Sequence, residues 1–143
     1  MRNPSSLVTQ EAKVPCRVNL IGEWIDFNGG MVLPMALAPS VAVKIAANGT
    51  AMDRIKSTSF AASQDFAIDA PAGDHWSDYI RGALQYARDR NWIESGQEVS
   101  VESSIPVGAG LSSSAAIIVA TLKAASIGFP DVDGEALAFA AKE

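Results

Sequence analysis

The sequence predicts an α+β domain in which a mixed β-sheet packs with helices. Strand-like segments follow one another through residues 14–68, whereas an apolar stripe at helical spacing begins at Trp76. A third observation comes from residues 99–116, where an alternating run is followed by a glycine- and serine-rich turn and then by a small apolar run typical of a buried helix. At 143 residues the chain has the length of one domain.

Composition favours a globular protein that binds a small molecule. Hydrophobic residues make up 48% of the chain and charged residues 19%. The net charge of -5 argues against a basic surface for nucleic acid, and no apolar run reaches the roughly 18 residues of a membrane span. Cys16 and His75 are the only residues of their kinds, which excludes an internal disulfide and a multi-histidine metal site. We therefore expect a cytoplasmic protein with no membrane or nucleic-acid partner.

The first half of the chain reads as strands separated by turns. Residues 1–12 are polar and without period, so we expect a loose terminus. The strand-like segments are residues 14–21, 31–37 and 40–47, with weaker ones at 54–60 and 66–68. Asn28-Gly29-Gly30 and Asn48-Gly49 are the turn signals, and the first of them predicts a hairpin with Glu23 and Asp26 on or beside its connection.

The second half reads mainly as helices. An apolar stripe predicts one helix, with Trp76 and Tyr79 in the core, and its members are Trp76, Tyr79, Ile80, Ala83, Leu84 and Ala87. A strand over residues 99–105 leads to a second helix that ends near Ser126. Asp133 is a natural N-cap for a last helix, which reaches Glu143 with no glycine or other C-terminal cap after it. We therefore expect the sequence to be cut there.

A serine loop, residues 106–114, carries the clearest chemical signal. Gly108 and Gly110 let the backbone approach a ligand, and the helix that follows offers unpaired N–H groups and a partial positive charge to an anion. Ser112, Ser113 and Ser114 add hydroxyls that can cap the helix, bond to phosphate or reach a metal. The loop is neither a Walker loop nor G-x-G-x-x-G. The alternative is an ordinary helix capped by serine.

Three stretches resemble the GHMP small-molecule kinases. The run Pro106-x-Gly-x-Gly-Leu-Ser-Ser-Ser-Ala-Ala is similar to the family's ATP-binding loop, and residues 17–36 resemble the galactokinase signature. Trp76-x-x-Tyr79-x-x-Gly82 is a weaker similarity to galactokinases. The resemblance implies the N-terminal domain of that fold over residues 1–143, with a sugar signature at about 14–37 and an ATP loop at about 106–116. It also implies ATP-dependent phosphorylation of a monosaccharide at its anomeric hydroxyl.

The resemblance also implies how ATP and Mg²⁺ are held. The residues implied for ATP are Gly108, Gly110, Leu111, Ser112, Ser113 and Ser114. Ser114 is the expected hydroxyl on Mg²⁺, with Ser113 close behind, and Glu143 falls near the place of the family's metal glutamate. The alternative for Glu143 is a solvated charge at a helix end.

The sugar site implied by the resemblance lies in the first signature. Glu23 and Asp26 would accept hydrogen bonds from sugar hydroxyls, Asn28 would support the turn, and Arg17 would stabilise developing negative charge. The alternative is a surface hairpin with turn-forming residues. Trp24 also belongs to the sugar-binding residues that the resemblance implies.

Departures from the galactokinase pattern leave the substrate open. Trp24 stands where galactokinases usually have histidine, and Phe27 where they have tyrosine. Cys16, where glycine is common, resembles galacturonokinase-like members, so galacturonate or a pentose such as arabinose is the alternative to galactose.

The resemblance also implies parts that this sequence does not contain. The family's catalytic aspartate and its C-terminal domain follow the metal glutamate, and neither is present. A non-catalytic sugar or nucleotide sensor is therefore one alternative. Another is one subunit of a split kinase whose second half is supplied in trans, which predicts a large exposed apolar patch.

Overall fold

The computed structural model describes residues 8–22, 25, 28–106, 108 and 110–141. Five strands and three helices follow one another in these residues. The strands are β1 (Gln10–Ile21), β2 (Leu33–Ala47), β3 (Met52–Ser57), β4 (Phe60–Ala67) and β5 (Gln97–Ser103). The helices are α1 (Asp78–Asp89), α2 (Ser113–Ala125) and α3 (Gly134–Ala140). The predicted α+β class with a mixed sheet is confirmed.

The five strands form one mixed sheet in the order β1-β2-β5-β3-β4. Only β3 and β5 run parallel, and the other neighbouring pairs are antiparallel. Side chains alternate between the two faces of each strand, so Val41, Val43 and Ile45 of β2 are buried. The opposite face carries cross-strand ion pairs such as Lys44 with Glu102, 3.2 Å apart. One face of the sheet therefore builds the core.

The helices cover that buried face. α2 packs against β1 and β2, and α1 packs against α2. α2 is made of small apolar residues and is buried along much of its length, whereas α1 buries one stripe that includes Ile80 and Leu84. A buried carboxylate ties α1 to the sheet, because Asp53 of β3 accepts hydrogen bonds from the Arg88 guanidinium at 2.5 Å and from the Gln97 backbone N–H at 2.8 Å.

Three boundaries differ from the sequence predictions. β1 begins at Gln10, inside the segment expected to be loose. β2 is one strand from Leu33 to Ala47, where two were expected, because Pro39 lies at an irregularity in the pairing with β1 and does not end the strand. The predicted strand over 54–60 crosses the turn at residues 58 and 59, since β3 ends at Ser57 and β4 begins at Phe60.

The predicted turn at Asn48-Gly49 and the Asp133 cap are both present. Gly49 has a φ of 69°, and the Asp133 carboxylate accepts a hydrogen bond from the Ala136 N–H at 2.9 Å. No helix in the described ranges has the length and apolar character needed to cross a membrane.

Candidate active site

The serine loop connects the end of β5 to the first turn of α2. Gly108, Gly110 and Ser112 have φ values of 75°, 66° and 55°, so the backbone turns through three left-handed residues before the helix begins. Glycine adopts this conformation at little cost, whereas Ser112 adopts it at a cost in energy. The chain therefore reaches α2 through a tight turn.

The first turn of α2 has no side-chain cap. Ser112 is the N-cap residue, yet its hydroxyl makes no capping hydrogen bond, and the first turn contains no acidic residue. The alternative of an ordinary serine-capped helix is therefore wrong. The start of α3, by contrast, is capped by Asp133. Uncapped N–H groups at a helix start favour an anion.

A cavity of about 270 Å³ opens beside this helix start. Gly108, Ser113 and Ser114 line one side of the cavity, and the aromatic residues Phe60, Trp76 and Tyr79 line another. The Phe60 and Trp76 rings are stacked, with centroids 4.8 Å apart and planes at 14°. The cavity thus joins flat apolar walls to a helix start that can bind an anion.

Tyr79 does not lie in the core, where the sequence analysis expected it, and Trp76 lies only at the edge of the core. Tyr79 is 48% exposed, so the prediction that it belongs to the core is wrong. Trp76 precedes α1 and is partly buried, with one side packed against the core. The apolar stripe begins at Ile80, and the two aromatic residues before it line the cavity.

Asp78 fixes the segment that carries these aromatic residues. Its carboxylate accepts hydrogen bonds from the backbone N–H groups of His75 at 2.8 Å and Gly73 at 3.0 Å, and from the Arg81 guanidinium at 2.6 Å. The backbone hydrogen bond from His75, followed by that from Gly73 and by Arg81, lowers the pKa of Asp78 below its usual value of 3.8. Asp78 is therefore held in its charged form beside Tyr79.

The sugar signature lies on a two-stranded ribbon at one end of the sheet. The ribbon consists of residues 17–21 and 31–37, with Arg17 opposite Ala36 in the pairing of β1 with β2. Arg17 is partly buried. The antiparallel hairpin predicted from the turn signal is therefore present, and it carries the signature.

Backbone hydrogen bonds shape the connection between the two ribbon strands. The Asn28 N–H and the Gly30 N–H both donate to the Ile25 carbonyl, at 3.1 and 2.9 Å. Gly22 has a φ of 99°, and a Cβ there would lie 2.8 Å from the Met31 carbonyl oxygen, so only glycine fits. Of the predicted sugar contacts, Glu23, Trp24 and Asp26 lie outside the described residues, and so does Glu143, the predicted metal ligand.

The ribbon and the serine loop begin at the same point of the sheet. Ser40 and Ser104 exchange hydrogen bonds, with the Ser104 N–H donating to the Ser40 carbonyl and the Ser40 N–H to the Ser104 hydroxyl, both at 3.0 Å. Ser40 stands where the ribbon joins the sheet, and Ser104 directly follows β5. The structure thus anchors the predicted sugar and nucleotide segments to each other.

The described residues contain no ready-made metal site. Among them, no three His, Cys, Asp or Glu side chains are grouped closely enough to hold a metal ion. Ser114 is partly buried at the wall of the cavity, where a hydroxyl oxygen suits Mg²⁺ as one ligand among several waters.

Two family models match the chain. The galactokinase galactose-binding signature matches residues 9–47, and the N-terminal domain of the GHMP kinases matches residues 78–143. The first match contains the ribbon, and the second contains α1, the serine loop and α2. The chain belongs to the GHMP kinase family.

Solved structures of GHMP kinases have the same fold. Galactokinase from Lactococcus lactis in complex with galactose is 24% identical with a TM-score of 0.79, and the match covers 93% of this chain and 36% of that one. Mevalonate kinase from Methanococcus jannaschii is 22% identical with a TM-score of 0.75, covering 97% of this chain and 46% of that one.

A third solved structure extends the comparison to a nucleotide complex. Phosphomevalonate kinase from Streptococcus pneumoniae, in complex with phosphomevalonate and AMPPNP, is 18% identical with a TM-score of 0.73. The match covers 92% of this chain and 40% of that one. The chain therefore spans between about a third and a half of the length of these kinases.

The aromatic wall of the cavity is the part of this candidate site that residue patterns missed. Phe60 comes from the start of β4, and Trp76 and Tyr79 come from the approach to α1, so sequence spacing does not bring them together. The similarity of Trp76-x-x-Tyr79-x-x-Gly82 to galactokinases was the signal that could have found two of them.

Proposed function

We propose that this chain is the nucleotide- and sugar-binding part of a galactokinase-like kinase, which uses ATP to phosphorylate a monosaccharide at its anomeric hydroxyl. One observation carries the proposal: the uncapped start of α2, reached through three left-handed residues, opens onto a cavity with stacked aromatic walls. The matching galactose-binding signature supports the choice of a sugar as the acceptor.

The nucleotide half of the proposal follows from the chemistry of the cavity. A purine ring is flat and largely apolar, so it suits the space beside Phe60, Trp76 and Tyr79. The phosphates would lie against the serine loop, where Gly108, Gly110, Leu111 and Ser112–Ser114 offer backbone N–H groups and hydroxyls. A bound base would displace water from the aromatic side, which would strengthen the hydrogen bonds on the other.

A magnesium ion would be held by the Ser114 hydroxyl, with Ser113 as the neighbouring alternative and the Glu143 carboxylate as a second ligand. Bound there with ATP, Mg²⁺ supplies positive charge to the triphosphate oxygens. Ser114 and Gly108 line the same cavity, which supports the choice of the Ser114 hydroxyl as a ligand near the proposed phosphate site.

The sugar half of the proposal rests on the ribbon. Glu23 and Asp26 would accept hydrogen bonds from sugar hydroxyls, Trp24 would pack an apolar face against the ring, and Asn28 would support the turn. Arg17 would stabilise the negative charge that develops at the reacting oxygen. Galactose is the first candidate, and galacturonate and arabinose are the alternatives.

Nucleotide binding is tested by truncating one wall of the cavity. Tyr79→Ala should raise the Kd for ATP at least tenfold by isothermal titration calorimetry, because the ring offers its exposed face to the base. Met52→Ala is the control, since Met52 is exposed to a similar extent and does not line the cavity. Equal affinity in both variants would refute the assignment of the cavity to the base.

The acceptor is tested by measuring ADP release with galactose, galacturonate and arabinose in turn. Release that depends on one sugar would identify the substrate and would show that the 143 residues hold complete catalytic machinery. Nucleotide binding without release would favour a binding part whose catalytic aspartate lies elsewhere. A chain that binds neither ATP nor any of the sugars would refute the proposed function.

A further inference from the structure

A connecting segment, residues 68–77, carries Trp76 to the wall of the cavity. The segment links β4 to α1 and lies outside both of these elements. Trp76 stacks there on Phe60, and it also lies beside the His75 ring, with the two ring centroids 5.7 Å apart. Because the segment belongs neither to the sheet ladder nor to a helix, side-chain hydrogen bonds decide where it holds Trp76.

The His75 ring bridges two elements of the fold. Its Nε2 atom lies 2.7 Å from the side-chain amide nitrogen of Gln64 in β4, and its Nδ1 atom lies 3.0 Å from the Ser77 hydroxyl oxygen. The backbone N–H of Ser77, a fully buried residue, donates to the same Nδ1 at 3.3 Å. The ring therefore joins an edge strand of the sheet to the N-cap residue of α1.

Donor and acceptor roles fix the tautomer of His75. A backbone N–H can only donate, so Nδ1 is the acceptor and the neutral ring carries its proton on Nε2. The Nε2–H then needs an oxygen, whereas the Gln64 amide presents its nitrogen to the ring and has its oxygen buried without a partner among the described residues. A half-turn of this amide places Gln64 Oε1 where it accepts the Nε2–H, and the contact between two donors is removed.

The backbone before the ring is strained, and hydrogen bonds hold it in place. Asp74 has a φ of 58°, a left-handed conformation that costs energy in residues other than glycine. The backbone N–H groups of Gly73 and His75, on either side of Asp74, both donate to the Asp78 carboxylate, at 3.0 and 2.8 Å. Such strain persists where the surrounding contacts over-determine the geometry, and it is frequent at ligand sites.

We propose that His75 is a positioning residue for the nucleotide base. Its neutral ring, with the proton on Nε2, bonds Gln64 and Ser77 at once, and this bridge holds Trp76 against Phe60 before a nucleotide binds. His75 is not among the described residues that line the cavity, so it acts through Trp76. A wall that is ordered in advance need not be ordered on binding, which raises affinity. The inference deepens the proposed function and rests on it for the identity of the ligand.

Two substitutions of Gln64 test the bridge through ATP affinity, measured by isothermal titration calorimetry at about pH 8, above the range in which histidines usually titrate. Gln64→Ala removes the acceptor and should raise the Kd about fivefold, because the wall must then be ordered on binding. Gln64→Glu keeps an oxygen that can only accept, so its Kd should stay within about twofold of wild type. Gln85→Ala is the control and should leave the Kd unchanged, because Gln85 donates to Asp89 within α1 and is not one of the described residues lining the cavity.

NMR of the imidazole nitrogens tests the tautomer with no nucleotide present. His75 is the only histidine, so a chain without an affinity tag gives one unambiguous pair of signals. In wild type the Nδ1 and Nε2 shifts should be those of one fixed tautomer with its proton on Nε2. Gln64→Ala should move both shifts towards the average of a freely exchanging ring, and Gln64→Glu should not.

The two measurements separate failure of the inference from failure of the proposed function. A wild-type chain that binds ATP but shows a freely exchanging ring, or a proton on Nδ1, would overturn the inference alone. The same holds if Gln64→Ala binds ATP as tightly as the Gln85→Ala control, or if Gln64→Glu loses as much affinity as Gln64→Ala. A wild-type chain that shows the fixed ring and does not bind ATP would refute the nucleotide site, and with it any role of the bridge in binding.

Discussion

Replacing Gly108 by alanine separates the role of the serine loop in folding from its role in binding. Gly108 has a φ of 75°, and a Cβ there would meet no atom within 4 Å. The change therefore brings no clash, and its cost is the left-handed conformation, about 1 kcal/mol. For a chain of this size we expect the melting temperature to fall by about 3 °C.

The change should weaken nucleotide binding more than it weakens folding stability. Gly108 lines the cavity, so the added methyl group would occupy space at the wall where the phosphates are proposed to lie. We expect the Kd for ATP to rise at least tenfold, which corresponds to about 1.4 kcal/mol or more. Isothermal titration calorimetry measures the affinity, and thermal unfolding without ligand measures the stability.

Gly49→Ala is a matched control for this experiment. Gly49 has a φ of 69°, a Cβ there would also meet nothing within 4 Å, and the residue lies in the turn between β2 and β3. The control should lower the melting temperature by the same amount and leave ATP binding unchanged. If both variants bind ATP equally well, the loop is not the phosphate site.

Three further predictions concern stability. The lowered pKa of Asp78 means that its contribution to stability is present above the unfolded pKa, about 3.9, and is lost as pH falls through the folded value. The melting temperature of wild type should therefore exceed that of Asp78→Asn at pH 6, and the difference should shrink below pH about 4; a constant difference would contradict this. In urea denaturation, Gly96→Ala should destabilise by about 3 kcal/mol, because its Cβ would clash with the Met52 carbonyl. Gly82→Ala, in α1 with open space around it, should stabilise by about 0.5–1 kcal/mol, and a loss of stability there would refute the helix argument.

Periodicity predicted which helices and strands form better than it predicted where they begin and end. The alternation around Val99 and the helical stripe through Leu84 each reflect one buried face, and a buried face is encoded locally. The length of β2 is not encoded in this way, because residues 33–36 are exposed on both faces and show no alternation in burial. The strand there is set by its pairing with β1.

In the candidate site, too, local backbone features were predictable from the sequence, whereas side-chain exposure and long-range contacts were not. Gly108 and Gly110 were predicted as a tight turn from residue type alone, and their positive φ values confirm it. The exposure of Tyr79 was not predictable from its spacing, because the apolar stripe looks the same whether its first member faces the core or a cavity. Phe60 lies at the start of β4 and Trp76 lies just before α1, so only the folded chain brings the two rings together.

The arrangement of β2 and β5 explains why one small domain can hold both halves of the proposed site. These strands are neighbours in the sheet. At the same end of the sheet, β2 connects to the ribbon and β5 connects to the serine loop. The hydrogen bonds between Ser40 and Ser104 join the two exits. A sugar hydroxyl held by the ribbon and a phosphate held by the loop would therefore be positioned by one rigid piece of backbone, which is what phosphoryl transfer requires.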